Sequence, residues 1–106
     1  MTHTDGLTDA ERERLARGME PVPHERANRE AIIRHFVDEY AMAFPQRREQ
    51  LMVWVDHMMA TTLKDARPGD ELWICRSRYI GPLAGHEGVG VVRDGNVVKY
   101  EAIIHY

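Results

Sequence analysis

The sequence predicts an α+β domain in which about three N-terminal helices precede a three-stranded antiparallel meander and pack on one face of it. Three observations predict this. Apolar residues recur at helical spacing up to Lys64 and at a spacing near two from Glu71 onward. Breakers separate the segments, at Pro21-Val22-Pro23, at Pro45 and at Arg67-Pro68-Gly69-Asp70. Near the C-terminal end, Asp94-Gly95-Asn96 between apolar runs has the chemistry of a tight hairpin, whose positive φ values Gly and Asn tolerate. A chain of 106 residues builds one core, so a single domain is expected. It divides into an N-terminal arm or helix over 1–20 that is loosely docked, a helical pair over 24–64 and a meander over 70–106.

The first helix is expected over 9–17. Thr8-Asp9-Ala10-Glu11 has the capping-box pattern, and Gly18 is a suitable stop. Its apolar content is little more than Leu7, Ala10, Leu15 and Met19, enough for a narrow stripe only. The second helix is expected over 24–44, where 100° steps gather Ile33, Phe36, Val37, Tyr40 and Phe44 on one side, with Ile32 and Ala43 beside them. Pro45 ends it and suits the first turn of a third helix over 46–64. There Leu51, Val55, Met58, Met59 and Thr62 share a face, Met52, Trp54 and Leu63 flank it, and Asp56 and His57 point away. The strands are expected over 71–77, 89–93 and 97–104. Hairpin parity places Val89 and Val91 with Val98, Tyr100, Ala102 and Ile104 toward the helices, and Val92, Val97, Lys99, Glu101 and Ile103 on the other face. Strand 71–77 reads Leu72-Trp73-Ile74-Cys75, apolar on both faces.

Lys plus Arg number 14 against 17 Asp plus Glu, a net charge of −3 that gathers neither nucleic acid nor an anionic membrane. No apolar run approaches the roughly 20 residues that cross a bilayer, and Met1-Thr2-His3-Thr4-Asp5 lacks the basic and apolar regions of a signal peptide. A cytoplasmic protein is expected. The lone Cys75, in an apolar stretch, reads as a buried thiol. Twelve Arg against two Lys fits a GC-rich bacterial or phage genome.

Chemistry is expected first in the long connection from Arg76 to Gly88. Arg76, Arg78 and Arg93 are placed near one end of the sheet, where guanidinium groups bind carboxylates or phosphates, and Tyr79 lies among them. His86-Glu87 in the same connection is a candidate proton-transfer pair, provided the loop is kinked. Gly85, Gly88 and Gly90 precede a strand rather than a helix, which argues against a phosphate cradle; they are read as allowing turns, a bulge, or a close approach of Gly90 to the helices. His35 and Glu39 have the i, i+4 spacing of metal ligands but no third ligand, and a hydrogen bond between them is the simpler account. No nucleophile triad can be assembled. No metal and no cofactor are expected.

The words Gly69-Asp70-Glu71-Leu72-Trp73, Leu83-Ala84-Gly85 and Val92-Arg93-Asp94-Gly95-Asn96-Val97-Val98 resemble a meander found in small bacterial and phage proteins without an assigned activity. The resemblance covers the C-terminal third and implies no activity, cofactor or catalytic residue.

Together these readings point to a small non-enzymatic interaction module, a regulator or inhibitor that binds another protein, with Arg76, Arg78, Tyr79, His86, Glu87 and Arg93 as contact residues. The alternative is a small-molecule or metal-binding protein or minor enzyme built on the loop 76–87. The second apolar face of strand 71–77, with Val92, Val97 and Ile103, leads to the expectation of a homodimer.

Overall fold

Thr8 opens the first helix as the capping box requires. The Glu11 amide donates to the Thr8 hydroxyl at 3.2 Å, and the Thr8 amide donates to the Glu11 carboxylate at 3.4 Å. The structure is a computed structural model that describes residues 8–80 and 84–106. Leu7 of the first apolar stripe, and Gly81, Pro82 and Leu83 of the long loop, lie outside the described residues. Helix α1 (Asp9–Met19) buries none of its residues. Gly18 is its penultimate residue rather than its stop; a β-carbon there would lie 3.4 Å from that of Tyr79, and the Tyr79 amide donates to the Gly18 carbonyl at 2.8 Å. The C-terminal end of α1 is thus moored to the sheet.

Residues Pro21–Arg26 form a strand, β1, rather than the start of a helix. Strand β1 pairs antiparallel with β2 (Glu71–Ser77), from Pro21 opposite Ser77 to Arg26 opposite Trp73. Two prolines argue against a central strand, but β1 is an edge, and a spacing of two puts both missing donors on its outer side. The sheet therefore has four strands, β1, β2, β3 (His86–Arg93) and β4 (Asn96–His105), antiparallel and adjacent in chain order.

Helix α2 covers 29–43 and starts at Asn28, whose side chain accepts from the Ala31 amide at 2.8 Å. It is α-helical over Arg29–Ile32 and Glu39–Ala43 and π-helical over Ile33–Asp38. Pro45 opens a 3₁₀ turn, Pro45–Arg47, that leads into α3 (Arg48–Leu63), as its missing amide suits. The α3 stripe is the expected one: Val55, Met58 and Thr62 are buried, and Leu51, Met52 and Met59 are partly so. Ile32, Ile33, Phe36 and Val37 of α2 meet them over Ile74 and Val89 of the sheet. A fork of two hydrogen bonds, Arg29 to Asp56 at 2.6 and 3.0 Å, ties the start of α2 to α3.

The β3–β4 hairpin turns at Asp94-Gly95, with φ of 51° and 81° as the type I′ turn demands. Its face parity differs from the expected one, because β4 carries two bulges. The first places Val91 opposite Lys99 and Val89 opposite Glu101, so Lys99 faces the helices and donates to the Thr61 carbonyl at 2.6 Å. Tyr100 turns to the other face. The second bulge lets Ile103 and Ile104 both pack against the helical core. Each extra residue inverts the alternation that a straight strand would keep.

The second face of the sheet is covered by curling. Strands β1 and β4 approach each other across it, so Cys75, Ser77 and Val92 are buried within the single chain. Two glycines make that possible: a β-carbon on Gly88 would sit 2.0 Å from the Glu101 carbonyl oxygen, and one on Gly90 2.8 Å from Cys75 Sγ. Gly90 thus approaches Cys75 and not, as expected, the helices. Burial pushes the Cys75 thiol up to about 11. The apolar area that led to the dimer expectation is, at Val92, taken up inside the chain. Among the described residues no helix is long and apolar enough to cross a membrane.

Candidate binding groove

The π-helical segment accounts for the most distinctive surface of the molecule. A π turn accommodates one more residue than an α turn, so everything after it is rotated as if one residue had been inserted. The buried stripe runs Ile33, Phe36, Val37 and then Ala41, which is 7% exposed. Tyr40 and Phe44, expected in the core, are rotated out to 39% and 43% exposure. Their rings stack on each other with centroids 4.9 Å apart.

Beside them lies a groove of about 630 Å³. Phe36 and Tyr40 of α2 form one wall, Leu51 and Trp54 of α3 the next, and Ile103 and Ile104 of β4 close the third side. Each wall has a local cause: the π rotation presents Tyr40, Trp54 sits at the margin of the α3 stripe, and the second β4 bulge brings two consecutive isoleucines to one face. His35 and Glu39 supply the polar part of the lining.

His35 is held from behind. Its Nε2 lies 2.7 Å from Glu87 Oε2, and the Tyr106 hydroxyl donates to Glu87 Oε1. Burial pushes the Glu87 carboxyl up, but the hydrogen bonds from Tyr106 and His35 outweigh it, and the group stays below its ordinary value. Glu87 is therefore an acceptor at neutral pH, so the hydrogen of this bond comes from His35 Nε2. Nδ1 has no partner among the described residues. The carboxylate hydrogen bond in turn raises the Tyr106 phenol to about 12. The Tyr106 amide donates to the Gly85 carbonyl at 2.9 Å, so this cluster ties the end of β4 to α2 and β3.

The residues singled out from the sequence are distributed over the molecule. Arg76 pairs in register with Glu87 and lies close enough to Tyr106 to act on its phenol, so these two belong to the groove's polar rim. Arg93 is at the far end of the sheet: in an antiparallel order the end of β3 lies beside the start of β2, not its finish. There it makes two hydrogen bonds of 2.8 Å to Asp70. Asp70 also accepts from the Arg67 amide, and its carboxyl is held at about 2, first by Arg93 and then by Arg67. Arg78 lies 3.7 Å from Glu20, and Tyr79, 55% exposed, is bound through its amide to α1. His86 is on the curled face with both nitrogens engaged, Nδ1 with the Tyr100 hydroxyl and Nε2 with the Met19 carbonyl, each at 2.7 Å. It points away from Glu87, so the two do not form a proton-transfer pair. His35 turns to Glu87 rather than to Glu39, and among the described residues no three His, Cys, Asp or Glu side chains converge as metal ligands do.

Tyr40, Trp54, Ile103 and Ile104 are groove residues that periodicity assigned to core, margin or strand, and the rim residue Tyr106 lies beyond the strand expected over 97–104. A π segment and a bulge are one-residue register changes with no residue type of their own, so only the off-stripe position of Trp54 signalled the groove. No protein-family model, curated protein or solved structure matches the chain.

Proposed function

We propose that this chain is a small non-enzymatic interaction protein, a regulator or inhibitor that receives an apolar segment of another protein in the groove between α2, α3 and the end of β4. The single observation that carries the reading is the exposed aromatic lining: Tyr40 and Trp54 stand open at a concave apolar surface, and these residue types dominate binding energy at protein interfaces. In this reading the setting is the bacterial cytoplasm, which an arginine-heavy composition and a lone buried thiol support. None of Arg76, Arg78, Tyr79, His86, Glu87 and Arg93 lines the groove; Glu87 touches the lining through His35, and Arg76 stands opposite Glu87.

The test is selection of a displayed linear peptide library on the wild-type chain, with counter-selection on Trp54→Ala. Enriched peptides should carry apolar or aromatic anchors, and Trp54→Ala and Tyr40→Ala should each weaken them about tenfold or more. Arg78→Ala and Tyr79→Ala should have no effect. Selected peptides indifferent to Trp54→Ala would overturn the proposal, and self-association lost in Trp54→Ala would give the groove to a second copy.

A second reading, a small-molecule binder or minor enzyme, is favoured by one observation, the His35 ring oriented by Glu87 through Nε2 at the groove. It predicts that His35→Gln abolishes function while peptide affinity and folding stay at wild-type level.

A further inference from the structure

We infer that the side chain this groove selects from a protein partner is a basic one, a lysine or arginine whose aliphatic stem lies along the aromatic walls and whose charged head meets Glu39. The inference rests on the groove being the partner site and names the chemistry it reads. Three aromatic residues, Phe36, Tyr40 and Trp54, line the same groove, and aromatic faces attract cations held within about 6 Å. Glu39 lies in the lining, exposed, and forms no ion pair among the described residues. The neighbouring carboxylates are engaged: Asp38 takes Arg48 at 2.8 Å, and Glu87 takes His35 and Tyr106. No lysine or arginine lines the groove; on its rim Arg76 stands opposite Glu87, so the charge of the lining itself is the Glu39 carboxylate.

These facts rank the occupants. A purely apolar side chain would bury the walls but would strip water from Glu39 without replacing it. An acidic one would face like charge. A lysine or arginine satisfies both halves, since its methylene stem covers apolar surface while its head stays at the polar rim. Arg47 lies outside the groove lining, 5.9 Å over the Phe44 ring and 3.4 Å from the Tyr40 hydroxyl to which it donates, and leaves the groove side of Tyr40 to a partner.

The experiment is an amide and indole NMR titration of the full chain with three capped tripeptides, leucine-X-leucine, where X is lysine, norleucine or glutamate. Norleucine keeps the stem and removes the charge. The lysine peptide should shift the Trp54 indole and the Tyr40 amide and bind about fivefold tighter than the norleucine peptide, with the glutamate peptide weakest. Glu39→Gln, at an exposed position, should erase the lysine advantage by weakening the lysine peptide, with the norleucine peptide bound no more weakly than before and the melting temperature unchanged. Equal or tighter norleucine binding, or a lysine advantage that survives in Glu39→Gln, overturns the inference. If lysine adds nothing but Trp54→Ala still abolishes norleucine binding, the groove reading stands and the inference alone falls. If no peptide responds to Trp54→Ala, both fall.

Discussion

The rotation imposed by the π segment can be tested by substitution at two adjacent positions, Tyr40 and Ala41. In an uninterrupted α-helix the stripe Ile33, Phe36, Val37 continues with Tyr40 at its centre and Ala41 at its margin. In the structure Ala41 is 7% exposed and Tyr40 39%. Ala41→Leu therefore forces three extra carbon atoms into a filled interior, at a cost of about 1 to 3 kcal/mol. Tyr40→Leu exchanges one half-exposed apolar group for another and should stay within about 1 kcal/mol. Truncation gives a second comparison. Phe36→Ala empties a buried site and should cost about 3 to 5 kcal/mol against a total stability of roughly 5 to 15. Tyr40→Ala loses only the buried part of its contacts, at about 1 to 2 kcal/mol by area. Urea melts of the four variants, with His57→Ala as a near-neutral exposed control, measure the differences directly. If Tyr40→Ala proves as damaging as Phe36→Ala and Ala41→Leu is tolerated, Tyr40 lies on the buried stripe. The π rotation, and the groove wall derived from it, would then be refuted.

Three further outcomes follow from the sheet and its rim. Because Arg93 holds the Asp70 carboxyl at about 2, below its ordinary value near 3.9, the pair's contribution is complete at neutral pH and is lost as pH falls from about 4 to about 2. Urea melts across that range should show the stability gap between wild type and Arg93→Met narrowing toward acid; a gap independent of pH would contradict the pairing. Glu87→Gln takes the charge from the acceptor that raises the Tyr106 phenol to about 12, so a spectrophotometric phenol titration should place Tyr106 nearer the ordinary value of about 10, and an unchanged titration would contradict the carboxylate contact. Gly88→Ala puts a β-carbon 2.0 Å from the Glu101 carbonyl and should cost more than about 3 kcal/mol, whereas Gly95→Ala, with nothing within 4 Å, meets only the strain of a φ of 81° and should cost about 1, as equilibrium unfolding will report.

Elements whose signals are local are legible in the amino-acid order alone. The Thr8 capping box, Pro45 at the start of the third helical run, the α3 stripe through Val55, Met58 and Thr62, and a hairpin turn within Asp94-Gly95-Asn96 all depend on neighbours within about one turn, and all stand where the sequence puts them. Only the tertiary structure decided the rest. Strand β1 carries two prolines and becomes a strand because β2 offers it an edge. One π segment rotates Tyr40 out and Ala41 in, and two bulges in β4 invert the faces of Lys99 and Tyr100 and then gather Ile103 and Ile104. The groove exists where those shifts coincide. A one-residue change of register alters no residue and leaves the sequence pattern intact on either side of it, so it is fixed by what the displaced side chains pack against. That packing partner is always distant in the chain: Glu87 for His35, 52 residues away, and Met19 for His86, 67 away.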